Sequence, residues 1–542
     1  MLPPGLRTPR EVVFYYDELY FSLVDGGKVH PFIYPWATLG AAVVILYLLI
    51  DHRQSPTLKW LRFPVFATLV AFHSWLVVTH RARNAASAFG VGLMSCWGCL
   101  WVASIMIFND CQSDFRRIER LGEPEEVRES GPSMNGAANA SAKSASEPFN
   151  LRQRKIEAVS AECTSTKGPA QRHGKLFWQP YPAAPLIERL DWIADVFCSF
   201  RGVGWSWQTS GIPPPPRWVE AQLDGKDDLQ EAAEPVRTSR TGIRRYGDRA
   251  QLVKDAAVSL MIGYVALDVI VTLVHRDPYF WGYIDAAAPS HVPAIVQGSR
   301  TLTKTYRLLL SLSAIYTSLW TIFKLGPAFF CGVLGPRWIG VRGEAWMNPL
   351  DMYGSFSPVL DQGLAGWWGG WWHQTFRFAF EAPAARLMQA LGVSKRSLTG
   401  KALSLFVAFL LSGCIHACGS YTQLGDTRPI MGPMRFFLLQ GVGILLQTLL
   451  VQVLAQAGIV SKCPKTIRRL TNLVVAHVWL YYTAPLLVDD FAQGGVWLYE
   501  PVPFSPLRGL GFGAPDDQFF CWWHQRVWWR TGKHLWDTGI QL

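Results

Sequence analysis

Residues 403–421 read LSLFVAFLLSGCIHACGSY, an apolar run of membrane-spanning length with one histidine, His416, near its end. As a helix, the run places small residues such as Ala408, Ser412 and Gly413 on the face of His416, at spacings of three and four. Two interpretations compete for that face. It is either a helix-packing seam that small residues allow to close, or a cleft in which His416 meets a substrate.

The composition of the whole chain is typical of a polytopic membrane protein. Half of its 542 residues are apolar, and it contains 25 Trp and 30 Phe. We therefore expect an all-α polytopic membrane protein with about eight transmembrane helices and additional interfacial helices. The runs long enough to span are 33–50, 63–79, 86–108, 256–274, 306–323, 403–421, 436–454 and 473–488.

The net charge of +11 is explained by membrane topology. Basic residues concentrate in the loops at 324–401 and 462–469, and positive loops face the cytosol. Because successive loops alternate between the two sides of the membrane, the long loop after residue 108 lies on the same, cytosolic side. A lipid membrane is therefore the expected partner of this charge, and no nucleic-acid partner is expected.

Composition also divides the chain into four parts. Residues 1–108 are N-terminal transmembrane spans, and 109–250 form a cytosolic loop. This loop contains a Ser-, Ala- and Glu-rich part, 122–149, expected to be disordered, and an amphipathic stretch, 186–200, expected to be an interfacial helix. Residues 251–490 form a second membrane domain that contains His416, and 491–542 form a Trp-rich C-terminal tail.

Residues 367–377 read WWGGWWHQTFR and form a second informative cluster. On a helix, His373, Gln374 and Arg377 share one stripe beside an aromatic stripe that includes Trp372. The cluster is either an aromatic-belt helix that faces lipid headgroups or a site where imidazole, amide and guanidinium bind a polar ligand.

A metal site at His416 is not expected. Cys414 and Cys418 flank the histidine, but on a helix they lie about 200° around the axis from the imidazole. Three ligands on one face are the minimum for a catalytic metal.

Three motifs in order carry a family resemblance: Arg201-Gly-Val-Gly-Trp, Trp372-His373-Gln374 with Arg377, and Ser412-Gly413-x-x-His416. Together they resemble the wax-synthase-like branch of the membrane-bound O-acyltransferases, and most of all its fungal members that acylate, often acetylate, terpenoids and other secondary metabolites. The resemblance covers roughly residues 186–488. It implies that 251–490 is a wax-synthase-like catalytic membrane domain.

The resemblance also implies roles and partners. His416 and His373 would be catalytic residues, and the substrate-binding residues would be Trp372, Gln374, Arg377, Ser412 and Gly413. Acyl-CoA, expected to be acetyl-CoA, would be the co-substrate with no bound cofactor, and a hydrophobic alcohol would be the acceptor. The implied location is the endoplasmic reticulum, as a multi-pass membrane protein.

Ester formation from a thioester needs a base for the alcohol proton, and a neutral imidazole such as that of His416 suits this step. Donors for the tetrahedral oxyanion are expected from His373 or Gln374. Two alternatives are a long-chain alcohol wax ester synthase and a proton-coupled transporter that uses Asp268, His416 and His477. The enzyme is favoured because the spans show no internal repeat and no paired broken helices.

Overall fold

The computed structural model describes residues 2–121, 175–226, 236–524 and 527–542. The described chain is mostly helical, as expected for an all-α polytopic membrane protein. Within these ranges, seven helical segments are long and apolar enough to cross a membrane. They are Pro56–Thr79, Ala85–Ile107, Arg249–His275, Arg300–Gly343, Leu398–Tyr421, Ile430–Gln456 and Lys465–Gln493.

The first of the eight expected spans is shorter than the others. Its apolar helix covers only Trp36–Leu49, because the chain turns at both ends within the apolar run. The expected count of about eight therefore corresponds to seven full-length segments and this shorter one.

Thirteen longer helices organise the described chain. They are α1 Pro9–Asp25, α2 Leu39–Leu49, α3 Arg62–Thr79, α4 Ala85–Val102, α5 Leu186–Cys198, α6 Arg217–Leu223, α7 Arg249–His275, α8 Arg300–Pro327, α9 Arg377–Ala390, α10 Leu398–Tyr421, α11 Arg435–Gln456, α12 Lys465–Thr483 and α13 Pro485–Gln493.

Short elements connect these helices. The short helical segments, of three to seven residues each, are Trp36–Thr38, Pro56–Trp60, Ala103–Ile107, Cys111–Asp114, Pro278–Trp281, Ala294–Gln297, Ala328–Leu334, Gly335–Ile339, Gly340–Gly343, Ala345–Met347, Ser357–Gln362, Leu364–Gly366, Trp367–Trp371, Ile430–Met434, Ile459–Lys462, Val496–Leu498, Pro506–Gly509 and Leu535–Asp537. The strands are β1 His30–Pro31, β2 Ile33–Tyr34, β3 His80–Arg81, β4 Arg117–Arg120, β5 Leu176–Gln179, β6 Arg237–Thr238, β7 Arg244–Arg245, β8 Trp528–Arg530 and β9 Gly539–Gln541. Their sheets are β1-β3, which is parallel, and β2-β9-β8, β4-β5 and β6-β7, which are antiparallel.

Helix α10, which carries His416, packs closely against α4. It begins where the Ser397 hydroxyl accepts a hydrogen bond from the Gly400 N–H at 3.0 Å, a side-chain cap. At its other end, the Thr422 hydroxyl donates to the Ala88 carbonyl at 2.7 Å and accepts from the Gly92 N–H at 3.1 Å. These bonds hold the backbones of the two helices close together and fix the position of α10.

The amphipathic stretch at 186–200 forms α5, which ends two residues earlier than expected. Trp192, Ile193 and Val196 are fully buried in a core shared with α2, while Leu186 is exposed. Part of the stripe that was expected to face the membrane therefore packs on protein. The interfacial position of the outer face stays a prediction, and the expected disordered part, 122–149, lies outside the described residues.

The tail after α13 is attached to α7 by buried polar groups. The Arg508 guanidinium binds the Glu500 carboxylate through two bonds of 2.6 and 2.8 Å. The Asp268 carboxylate in α7 accepts bonds from the Ser505 hydroxyl and from the Leu507 N–H. Asp268 therefore anchors the tail.

Candidate active site

His416 is held in one tautomer by its own helix. Its Nδ1 lies 2.8 Å from the Ser412 carbonyl oxygen one turn earlier. A carbonyl can only accept a hydrogen bond, so Nδ1 carries the proton, and Nε2 of the neutral ring presents a lone pair. Among the described residues, Nε2 has no hydrogen-bond partner. The structure thus leaves the basic nitrogen of His416 free for a ligand.

An aromatic wall surrounds this imidazole. The Phe437 ring of α11 lies with its centroid 4.4 Å from the His416 ring, and Phe89 of α4 lies at 6.5 Å. Trp368 contacts Phe437 at 6.0 Å and Phe409 at 5.7 Å, both edge to face. These rings fix the orientation of His416 and exclude water from one side of it.

The 367–377 segment is not one helix, contrary to the helical arrangement considered from its sequence. A wide turn of π-helix covers Trp367–Trp371, Trp372 is extended, and α9 begins only at Arg377. Wide helical turns of this type are frequent at functional sites. The break turns Trp372, His373 and Gln374 toward the same cavity as His416, which a continuous helix would not do.

Gln374 supports the backbone of this segment, and its expected role in binding or as an oxyanion donor stays a prediction. Its side-chain N–H groups donate to the Trp368 carbonyl at 2.9 Å and to the Trp372 carbonyl at 2.7 Å. Its oxygen accepts from the Arg377 guanidinium at 3.2 Å. Both donors are used because the broken helix leaves those carbonyls without helical partners.

Replacing Gln374 by glutamate should therefore lower the catalytic efficiency of any reaction that takes place beside His416 in this cavity by about 10²-fold. A carboxylate cannot donate to the two carbonyls, so the turn that carries Trp372 and His373 should shift, and misplacements of about 1 Å have costs of this size. The measurement is kcat/KM at matched protein amounts. The same change at exposed Gln389 on α9 is the control, and equal effects at both positions would contradict the supporting role.

His373 lies beside Tyr353 and Trp372, with ring centroids at 6.2 and 5.5 Å. Removal from water, with smaller contributions from His416 and Arg201, lowers the pKa of His373 to about 3. The ring is therefore neutral at physiological pH. Its Nδ1 is buried without a hydrogen-bond partner among the described residues, so Nε2 is the nitrogen that a ligand reaches.

The two histidines line one cavity of about 1360 Å³. Its volume exceeds the roughly 300–1,000 Å³ of ordinary small-molecule sites. Most of its lining is apolar, and the cavity also takes in the ammonium-bearing side chains of Lys395 and Lys401 at the start of α10. It therefore joins an apolar interior to a basic mouth.

Four of the five expected binding residues line this cavity: Trp372, Gln374, Arg377 and Ser412. Gly413 is not among the lining residues, and its expected binding role stays a prediction. A β-carbon at Gly413 would lie 2.7 Å from the Met434 sulfur, because Gly413 is buried where α10 meets the chain entering α11. Gly413 therefore allows close packing one residue away from the cavity.

Several lining residues were not predicted. Phe437 and Trp368 are brought to His416 by contacts between distant parts of the chain, which no local pattern indicates. Lys395 precedes α10 and Lys401 lies in its first turn, and neither was singled out because the charge of this stretch was interpreted as membrane topology. The cluster of basic residues around the start of α10 is the sequence feature that could have indicated these two lysines.

Comparison with known proteins adds to this geometry. The model of the Membrane bound O-acyl transferase family matches residues 349–439, which contain both histidines of the site. The predicted family resemblance is confirmed. No solved structure matches the chain.

The relatives are fungal proteins that resemble this chain over part of its length. The O-mevalon transferase yanI of Aspergillus niger is 26% identical over 318 residues, 55% of this chain and 61% of its own. The O-mevalon transferase macI of Penicillium terrestre is 27% identical over 277 residues, 48% of this chain and 52% of its own. The acetyltransferase eriL of Hericium erinaceus is 22% identical over 337 residues, 60% of this chain and 72% of its own. The alignments with the first two thus span only about half to three fifths of those relatives.

Proposed function

We propose that the protein is an O-acyltransferase of secondary-metabolite biosynthesis. It transfers an acyl group, preferably acetyl, from acyl-CoA to a hydroxyl of a hydrophobic small molecule such as a terpenoid or polyketide. One observation carries the proposal. His416 presents an unpartnered Nε2 lone pair to a large apolar cavity with a basic mouth. The fungal relatives support the reaction class.

In the proposed reaction, Nε2 of His416 removes the hydroxyl proton as the acceptor oxygen attacks the thioester carbonyl. The new C–O bond gives a tetrahedral oxyanion. Its collapse breaks the C–S bond, and the leaving thiolate takes the proton back from His416. The ester and free CoA are released, and the neutral imidazole is restored.

His373 is the proposed donor to the oxyanion. Its neutral ring carries one N–H, and burial of Nδ1 leaves Nε2 as the nitrogen directed to the ligand. One such donor contributes roughly 3 to 4 kcal/mol at comparable sites. Gln374 takes no part in this step because its N–H groups are already used.

The basic mouth is the proposed entry for acyl-CoA. Lys395 and Lys401 are exposed, line the cavity and suit the phosphates of CoA. Arg377 lies nearby, but its guanidinium is paired with Glu381 at 2.7 Å. The positive-inside rule places this mouth in the cytosol, and an apolar acceptor would come from the membrane, most simply that of the endoplasmic reticulum.

The alternatives fare differently. A long-chain alcohol wax ester synthase would use the same base and cavity, so acceptor choice alone separates the two enzymes. The transporter needs Asp268, His416 and His477 along one path. Asp268 instead bonds Ser505 and Leu507 and lies outside the cavity lining, so that path is not formed.

The test is release of free thiol from acetyl-CoA, and from a longer acyl-CoA, by the purified protein in lipid nanodiscs. We expect thiol release that depends on added hydrophobic alcohol, together with an equal amount of ester by mass spectrometry. Thiol release without ester, or no release with a broad panel of terpenoid and long-chain alcohols, would contradict the proposal.

A further inference from the structure

A third histidine of the cavity lining, beside His416 and His373, repeats the geometry of His416. His477, on α12, places Nδ1 2.8 Å from the Leu473 carbonyl one turn earlier. By the same reasoning, Nδ1 carries the proton and Nε2 presents a lone pair. Among the described residues, Nε2 of His477 has no hydrogen-bond partner. The cavity therefore holds two imidazoles in the same fixed tautomer, on different helices.

The position of His477 is unfavourable without a ligand. It is an exposed side chain on a membrane-spanning segment, between apolar neighbours such as Val474 and Val478, which are about half exposed. A polar group at such a position is costly in a membrane and is a functional candidate by default. Its one described ring contact is the edge of Trp367 at 5.9 Å. That contact orients the ring but satisfies no lone pair.

The cavity lining has other polar groups on α12 and α8. Tyr481 follows it by one turn of α12, and Thr301 and Thr305 line the same cavity from the first turns of α8. Lys304 lies over the Tyr481 ring at 4.3 Å, which fixes that ring in place. This polar side differs from the aromatic wall around His416.

Each of the two imidazoles contacts an aromatic ring, and the two sets of rings meet at the neighbouring residues Trp367 and Trp368. Trp367 contacts His477, its neighbour Trp368 contacts Phe437, and Phe437 contacts His416. A ligand that reaches both nitrogen atoms crosses a cavity with a mostly apolar lining, so it needs an apolar skeleton. It must also carry a hydrogen-bond donor at each end.

We propose that Nε2 of His477 accepts a hydrogen bond from a second hydroxyl of the acceptor, so that the preferred acceptors are apolar diols with the two hydroxyls on opposite ends of a rigid skeleton. This inference rests on the proposed acyl transfer. His416 would act on one hydroxyl, and His477 would select molecules that carry the other. His477 is thus a specificity-determining residue that takes no part in the chemistry.

The experiment compares a steroid diol with the steroid mono-alcohol that lacks the remote hydroxyl. The readout is the ratio of kcat/KM for the diol to kcat/KM for the mono-alcohol. For His477→Phe we expect this ratio to fall about tenfold, the size of one lost neutral hydrogen bond. His477→Gln, whose amide oxygen accepts from nearly the same place, should keep the ratio within about threefold of wild type. His534→Phe, the same change at an exposed tail residue, is the matched control.

A ratio that is the same for wild type and His477→Phe would overturn the inference while leaving the proposed acyl transfer intact. A separate binding measurement tests the role of His477 even if the protein acylates neither alcohol. In the absence of acyl-CoA, the diol should raise the melting temperature of the wild-type protein more than the mono-alcohol does, and His477→Phe should lose that difference. If neither alcohol is acylated but this difference is found, the proposed function fails and the role of His477 stands. If the difference is missing as well, both fail.

Discussion

Replacing His416 by alanine should lower turnover by about 10²–10⁴-fold, the loss typical of removing a general base. The reason is geometric, since Nε2 of His416 is a lone pair held in place by the Ser412 carbonyl and by the Phe437 ring. Neither flanking cysteine replaces it at neutral pH. The measurement is kcat for ester formation by purified protein in lipid nanodiscs, at matched protein amounts.

Cys414→Ala is the control for His416→Ala, because Cys414 lies on the same helix and does not line the cavity. It should keep turnover within about twofold of wild type. Both variants should insert normally, since alanine is well tolerated in a span. A stable His416→Ala protein with near wild-type turnover would leave His416 as a helix-packing residue.

The second large effect is expected at Gly92, where α4 meets α10. A β-carbon there would overlap the backbone carbonyl of Cys418, which cannot move without shifting the helix that carries His416. Gly92→Ala should therefore destabilise the protein by about 3 kcal/mol or more, although alanine ordinarily favours a helix. That is a large part of the roughly 5–15 kcal/mol of a typical domain. The measurement is thermal unfolding in detergent, together with residual activity.

Gly90 supplies the matched control on the same helix. A β-carbon at Gly90 would meet nothing within 4 Å, so Gly90→Ala should be neutral or slightly stabilising. Equal melting temperatures for the two variants would show that the close approach of α4 and α10 does not limit stability.

Hydropathy alone is sufficient to predict the membrane helices, because a span must bury every backbone polar group internally and must be apolar along its length. The His416 helix is the clearest example, since its cap at Ser397 and its apolar run are both local features. The length of the first span was overestimated because of residues that are apolar but not helical. Its apolar run includes turns at its ends that hydropathy does not distinguish from helix.

The structure places His416 and His373 at one cavity, and the motifs that carry them are each contiguous in sequence. Their roles in a reaction stay predictions. The break after Trp371 was missed, and with it the structural use of the Gln374 amide, because the unpaired carbonyls exist only once the helix is broken. Phe437 and His477 reach the cavity through helix packing, which depends on the whole fold.

The most direct test of the central claim is product analysis in a host that is supplied with a hydrophobic alcohol. Host cells with the wild-type protein should accumulate an ester heavier than that alcohol by one acyl group, and cells with equal amounts of membrane-inserted His416→Ala should contain at most about a hundredth of it. Equal ester in both hosts, or ester in neither across terpenoid, steroid and long-chain alcohols, would contradict acyl transfer at His416.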